Sequence, residues 1–111
     1  MPGIPELSPS EFAKRWPNFA ASAEVVLLDV REHDEVATAA VAGARHIPMR
    51  EVPARLAELD ADMTVVVMCH SGGRSARVAT FLRDAGFDKI FNLRGGIDAW
   101  STEVDPRVPR Y

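Results

Sequence analysis

Cysteine is almost missing from this 111-residue chain: Cys69 is the only one. A single thiol cannot close an internal disulfide, so stability must come from burying apolar surface, as in a reducing cytoplasm. Nor can it anchor a zinc cluster, because His33, His46 and His70 stand at no metal-ligand spacing from it. No metal or other cofactor is therefore expected. Long apolar runs are also missing. The longest, near residues 25–28 and 65–69, are strand-sized, which excludes a membrane-spanning helix. Basic excess is absent too: the formal net charge is −3 and no lysine–arginine stripe runs along the chain, which argues against general nucleic-acid binding. A local basic pocket remains compatible with that balance, with Arg31, Arg74, Arg77 and Arg94 as candidates. The opening Met1-Pro2-Gly3-Ile4-Pro5-Glu6 carries neither the basic nor the apolar region of a secretory leader, so a cytoplasmic location is expected.

What is present is ordinary in bulk. Hydrophobic residues make up 47% and charged residues 26%, the proportions of a globular protein. The length suits one hydrophobic core and not two, so a single domain over residues 1–111 is expected, with residues 102–111 as a proline- and charge-rich tail across the surface. Short apolar runs alternate with helical stretches, the pattern of an α/β fold with a mostly parallel sheet. Val25 to Asp29 and Thr64 to Met68 read as strands buried on both faces, and Lys89 to Leu93 as a third. His46-Ile47-Pro48 reads as a short edge strand stopped by proline.

Helices are expected from Ser8 or Ser10, either of which can cap, to about Trp16, and around His33 to Ala40. Val52, Leu56 and Leu59 recur at helical spacing and predict a helix over 50–59. The strongest helical pattern covers 75–85, with Val78, Phe81, Leu82 and Ala85 on one face and Gly86 as its stop. Gly95-Gly96-Ile97-Asp98-Ala99-Trp100 should turn on its glycines into a short helix, with Trp100 in the core.

The chemistry concentrates in Met68-Cys69-His70-Ser71-Gly72-Gly73-Arg74-Ser75, where a strand runs into a glycine-containing loop and then a helix. Loop amides and the positive end of a helix dipole favour a thiolate over a thiol there, and the thiolate is the nucleophile. A pKa lowered by about two units from ~8.5 would raise the thiolate share at neutral pH from a few per cent to about three quarters. A free cysteine is more often a small buried hydrophobe, but this position at a strand's carboxyl end weighs against that. His70 reads as a loop side chain near solvent, Ser71 and Ser75 as loop and cap hydrogen-bond groups, and Met68 as core. Arg77 falls on the solvated face of its helix.

Leu27-Leu28-Asp29-Val30-Arg31-Glu32, Gly43-Ala44-Arg45-His46-Ile47-Pro48, Cys69 to Ser75, Gly86-Phe87 and Leu93-Arg94-Gly95-Gly96-Ile97-Asp98-Ala99-Trp100 follow one another in an order that resembles the rhodanese (thiosulfate sulfurtransferase) domain over about residues 4–101. The resemblance implies about five mostly parallel strands flanked by helices on both faces, with the active-site loop beyond the carboxyl end of the central strand. It also implies that Cys69 takes a sulfane sulfur from a donor such as thiosulfate, becomes a persulfide, and passes that sulfur to cyanide or a thiol in a ping-pong cycle. The backbone N–H groups of His70, Ser71, Gly72, Gly73, Arg74 and Ser75 would hold the charge. Arg74 would either close the loop against a carboxylate or face the donor, with Asp29 as the bracing partner and Arg31 in support. With no second cysteine, the acceptor would be glutathione, thioredoxin or a sulfur-carrier protein.

The six residues from Cys69 to Arg74 resemble the sulfurtransferase loop, whereas Cdc25-type phosphatases carry one more residue, so phosphatase or arsenate reductase chemistry is the less favoured alternative. A non-catalytic binding module of the same fold is a further alternative, against which the retained cysteine weighs. One departure concerns Ala40-Val41-Ala42-Gly43-Ala44, where many members carry Gly-His-Ile-Pro-Gly-Ala. The stretch from Trp100 through Val104-Asp105-Pro106 to Tyr111 looks like the tail of rhodanese domains fused to enzymes that activate sulfur-carrier proteins.

Overall fold

The computed structural model describes residues 3–111, so Met1 and Pro2, the start of the stretch read for a leader, lie outside the described residues. Its strands are β1 (Glu6–Leu7), β2 (Val25–Asp29), β3 (Arg45–His46), β4 (Thr64–Met68) and β5 (Ile90–Leu93). The helices are α1 (Pro9–Arg15), α2 (His33–Thr38), α3 (Gly73–Asp84) and α4 (Gly96–Glu103). The strands form one sheet in the order β1-β5-β4-β2-β3, and every neighbouring pair is parallel.

Because strand side chains alternate, the two central strands feed two separate cores. Val25, Leu27, Val66 and Met68 pack on one face with Phe12 of α1 and with Ile97 and Trp100 of α4. Leu28, Val65, Val67 and Cys69 pack on the other with Val78, Ala79 and Leu82 of α3. A strand covered on both faces has no polar side, which is why 25–29 and 64–68 read as continuous apolar runs. The register sets Asp29 beside Met68, so β2 and β4 end together and their following residues meet at one edge. Among the described residues, no helix is long and apolar enough to cross a membrane.

Helix α1 starts at Ser8, not Ser10. Ser8 Oγ accepts from the Glu11 amide at 3.1 Å while Glu11 Oε1 accepts from the Ser8 amide at 2.9 Å, a closed capping box with Pro9 in the first turn. The helix expected over 50–59 is instead two 3-10 segments, Met49–Glu51 and Pro53–Glu58. Pro53 has no amide hydrogen to continue an α-helix, and Arg55 leaves helical geometry at φ −112°. The two-residue β1 carried no sequence pattern of its own; it is held by the Asn92 and Arg94 amides donating to Pro5 and Leu7 carbonyls. On α3 the buried face is Ser75, Val78, Ala79 and Leu82, whereas Phe81 is 39% exposed and Ala85 lies past the helix end. The tail does not merely cross the surface: Val108 is buried against the core that holds Trp100.

Candidate active site

The loop from Cys69 to Gly72 is shaped from outside by α4. The Ile97 amide donates to the Cys69 carbonyl at 2.9 Å and the Asp98 amide to the His70 carbonyl at 3.1 Å. Both carbonyls are thereby drawn away from the loop's interior. Gly96 permits this approach: a Cβ there would lie 2.3 Å from the Cys69 oxygen and 2.5 Å from that of His70. Its φ of 60° is also one that glycine adopts without steric cost. Gly72, at φ 117°, turns the chain into α3, which begins at Gly73 and not at residue 75.

With the carbonyls held off, donors face the sulfur. Cys69 Sγ accepts from the Gly72 amide at 3.0 Å, and Ser75 Oγ lies 3.3 Å away. Burial pushes the thiol pKa up, since Cys69 is only 1% exposed. The Ser75 hydroxyl and the amides of Ser75, Gly72 and Ser71 more than offset this and hold it below its ordinary value. The start of a twelve-residue helix adds its dipole in the same sense. The sulfur is thus buried, hydrogen-bonded and shifted toward the anion.

Arg74 makes its hydrogen bonds with a carboxylate and not with the sulfur. It makes a two-pronged pair with Glu35 of α2, at 2.6 and 2.8 Å, so the loop is braced by Glu35 and not by Asp29. Arg74 holds the Glu35 carboxyl down at about 2; burial opposes this, and the Glu32 amide and Tyr111 hydroxyl add to it. Asp29 instead grips Arg31, through Nε at 3.0 Å and Nη2 at 2.7 Å. Arg31 is fully buried and also donates to the Glu35 and Ala39 carbonyls and to Tyr111 Oη. Asp29 and Arg31 accordingly form the floor under α2, and Arg74 ties the loop to that floor.

His70, expected near solvent, is half-buried. Its ring stacks on Tyr111, with centroids 4.3 Å apart and planes 16° from parallel, and its buried Nε2 has no hydrogen-bond partner among the described residues. Tyr111 Oη in turn donates to Glu35 Oε2 at 2.8 Å. Ser71 and Gly73 are exposed at the loop's outer side. Ser75 is completely buried and bonded to Asn92 of β5. Sequence reasoning missed Glu35, Asn92 and Tyr111. Glu35 had a signal, three residues after Glu32 in an N-terminal capping pattern that the structure completes. Asn92 and Tyr111 had none, for each reaches the loop only through the folded chain.

A family model described as a rhodanese-like domain matches residues 12–103. The chain belongs to the rhodanese-like family. A sulfurtransferase of Allochromatium vinosum is 38% identical to it over 89 residues, which cover 80% of this chain and 83% of that protein. The Rhodanese-like/PpiC domain-containing protein 12, chloroplastic, of Arabidopsis thaliana is 38% identical over 92 residues, 79% of this chain, but the chain spans only 31% of that relative's length. Among solved structures, the rhodanese-related protein of Thermoplasma volcanium superposes with a TM-score of 0.81 at 27% identity, covering 97% of this chain and all of that one. The parallel five-stranded α/β sheet is therefore the rhodanese fold, and the family is one that includes sulfurtransferases.

Proposed function

We propose that this rhodanese-like protein is a sulfurtransferase working through a persulfide on Cys69. The observation that carries the reading is the surroundings of the sulfur: a buried Sγ with the Gly72 amide at 3.0 Å and the Ser75 hydroxyl at 3.3 Å, at the start of α3. A thiolate held this way needs no general base. Its lone pair attacks the outer sulfur of a donor, the donor's S–S bond breaks, and the remainder leaves with the bonding pair. The loop amides then stabilise the negative charge on the transferred sulfur. An external thiolate or cyanide attacks that sulfur, and the new S–S bond gives its pair back to Sγ.

A phosphate-transferring reading fits the same loop less well. A tetrahedral dianion needs a cationic donor in the cradle, and Arg74 is committed to Glu35. The six-residue loop is also the narrower form. The acceptor is a thiol of glutathione, thioredoxin or a sulfur-carrier protein, since the chain has no second cysteine to resolve the persulfide. Cytoplasmic surroundings keep such thiols reduced.

Intact-mass measurement after incubation with thiosulfate, and separately with glutathione persulfide, tests the reading. The wild-type chain should gain the mass of one sulfur atom, and lose it again to cyanide, while Cys69→Ser gains none. An equal gain on Cys69→Ser, or no gain from either donor, removes the proposal.

A further inference from the structure

The hydrogen bonds around Ser75 do not close with a single proton. Ser75 Oγ lies 2.5 Å from Asn92 Oδ1 and 3.3 Å from Cys69 Sγ, and both are acceptors when the sulfur is a thiolate. A hydroxyl has one hydrogen to donate. Turning the Asn92 amide over would free that hydrogen, but the other end of the amide is already fixed. Asn92 Nδ2 donates to the Gly72 carbonyl at 3.1 Å and reaches Glu6 Oε2 at 3.4 Å. An oxygen placed there would face two acceptors and no donor. Asn92 is 4% exposed and Ser75 is fully buried, so water does not relieve the shortage.

We propose that Asn92 is a positioning residue that competes with Cys69 for the one Ser75 proton. The hydroxyl turns to Sγ when the negative charge sits there, and to Asn92 when the charge has moved to the transferred sulfur. This rests on the persulfide reading for its place in the reaction, though not for the competition itself. In the loaded state Sγ is a neutral member of an S–S bond, and Ser75 satisfies the buried Asn92 oxygen. When an acceptor such as cyanide bonds to the outer sulfur, the S–S bond breaks. Its electron pair passes to Sγ, and thiocyanate leaves with its own charge. Ser75 then swings to the new thiolate. The swing to the thiolate leaves the buried Asn92 oxygen without a donor, which keeps the thiolate less stable than the amides and an uncontested Ser75 hydroxyl would make it and preserves its nucleophilicity.

The sign of one measurement decides the matter. The pH dependence of iodoacetamide alkylation of Cys69 reads the thiolate fraction without any sulfur donor. If Asn92 only braces Gly72, whose amide holds the sulfur, then removing it raises the alkylation midpoint. If Asn92 withholds the Ser75 proton, Asn92→Leu releases that proton and lowers the midpoint, increasing the thiolate share below it by about three- to tenfold. Asn92→Ala carries the same expectation should the leucine variant fold poorly. On a Ser75→Ala background, which by itself raises the midpoint, the Asn92 change should have no lowering effect. A midpoint that rises or stays put in both Asn92 variants, or that falls equally with Ser75 absent, overturns the inference. Absence of sulfur loading on the wild-type chain, with the alkylation shift intact in the variants, would instead strike the persulfide reading.

Discussion

Two arginine–carboxylate pairs lie at the same sheet edge and do different things. In Arg31–Asp29 the side chains are 0% and 2% exposed, and every arm of the guanidinium is used, on Asp29, the Glu35 and Ala39 carbonyls and Tyr111. In Arg74–Glu35 the side chains are 30% and 18% exposed, and among the described residues Arg74 hydrogen-bonds Glu35 alone through its guanidinium. The first pair could not be left half-made, because its charges have no water to fall back on. The second ties a reactive loop to a helix and can be replaced in part by solvent. The buried pair therefore fixes where α2 lies, and the half-exposed pair transmits that position to the Cys69 loop.

Breaking the buried pair should have the largest effect. Arg31→Met fills similar volume but leaves Asp29 buried and uncompensated, and it takes the Arg31 donor from the Ala39 carbonyl and from the Glu35 carbonyl, which keeps only the Ala39 amide. A loss of about 3–5 kcal/mol is expected, read as a fall in urea midpoint with unchanged slope. A loss no greater than that of a surface change would mean the buried pair is not the stronger member of the comparison.

Glu35→Gln probes the exposed pair at smaller scale. Glutamine keeps the capping geometry with Glu32 and an oxygen for Arg74, so the substitution removes charge with little change of shape. The expected loss is about 1–2 kcal/mol at neutral pH. Its pH dependence has a definite sign. With the folded pKa at about 2 against the usual 4.5, the unfolded chain binds more protons between those values. Stability from Glu35 is thus fully present above about pH 5 and is lost as pH falls through the window toward 2. The difference between wild type and Glu35→Gln in chemical denaturation should shrink over that range. A difference that stays constant from neutral pH down to 2 would show that the Arg74 pair does not hold the carboxyl down.

The same contrast explains what could be read from the sequence. The two buried strands, the cysteine loop and the α3 helix were legible because each is a continuous local pattern. Cys69, Gly72 and Gly73 stand together in the chain as they do in the loop. The partner of Arg74 was not legible. Asp29 and Glu35 are both carboxylates near one strand end, and only the fold shows that Arg31, two residues along, has already taken Asp29. The 50–59 segment misled because apolar spacing alone does not distinguish an α-helix from 3-10 turns, and Pro53 decided it. Phe81 misled for a related reason: Ala79 takes the buried position on α3, and the larger ring is left outside.

The smallest expected effect separates the two roles of Tyr111, which touches both ion pairs. Its hydroxyl accepts from Arg31 Nη1 at 2.9 Å and donates to Glu35, while its ring lies on His70 of the loop. Tyr111→Phe removes the first role and keeps the second. It should cost about 0.5–1.5 kcal/mol of stability, since the Arg31 donor loses one partner but keeps the Glu35 carbonyl. Sulfur loading on Cys69 should be little changed, because the ring still holds His70 in place. Tyr111→Ala removes both roles. It should add a further loss of comparable size for the ring contact, together with faster alkylation of Cys69 as the loop gains freedom. If phenylalanine and alanine behave alike in both stability and alkylation, the stack on His70 contributes nothing. Tyr111 would then act only through its hydroxyl, as a third member of the two ion pairs.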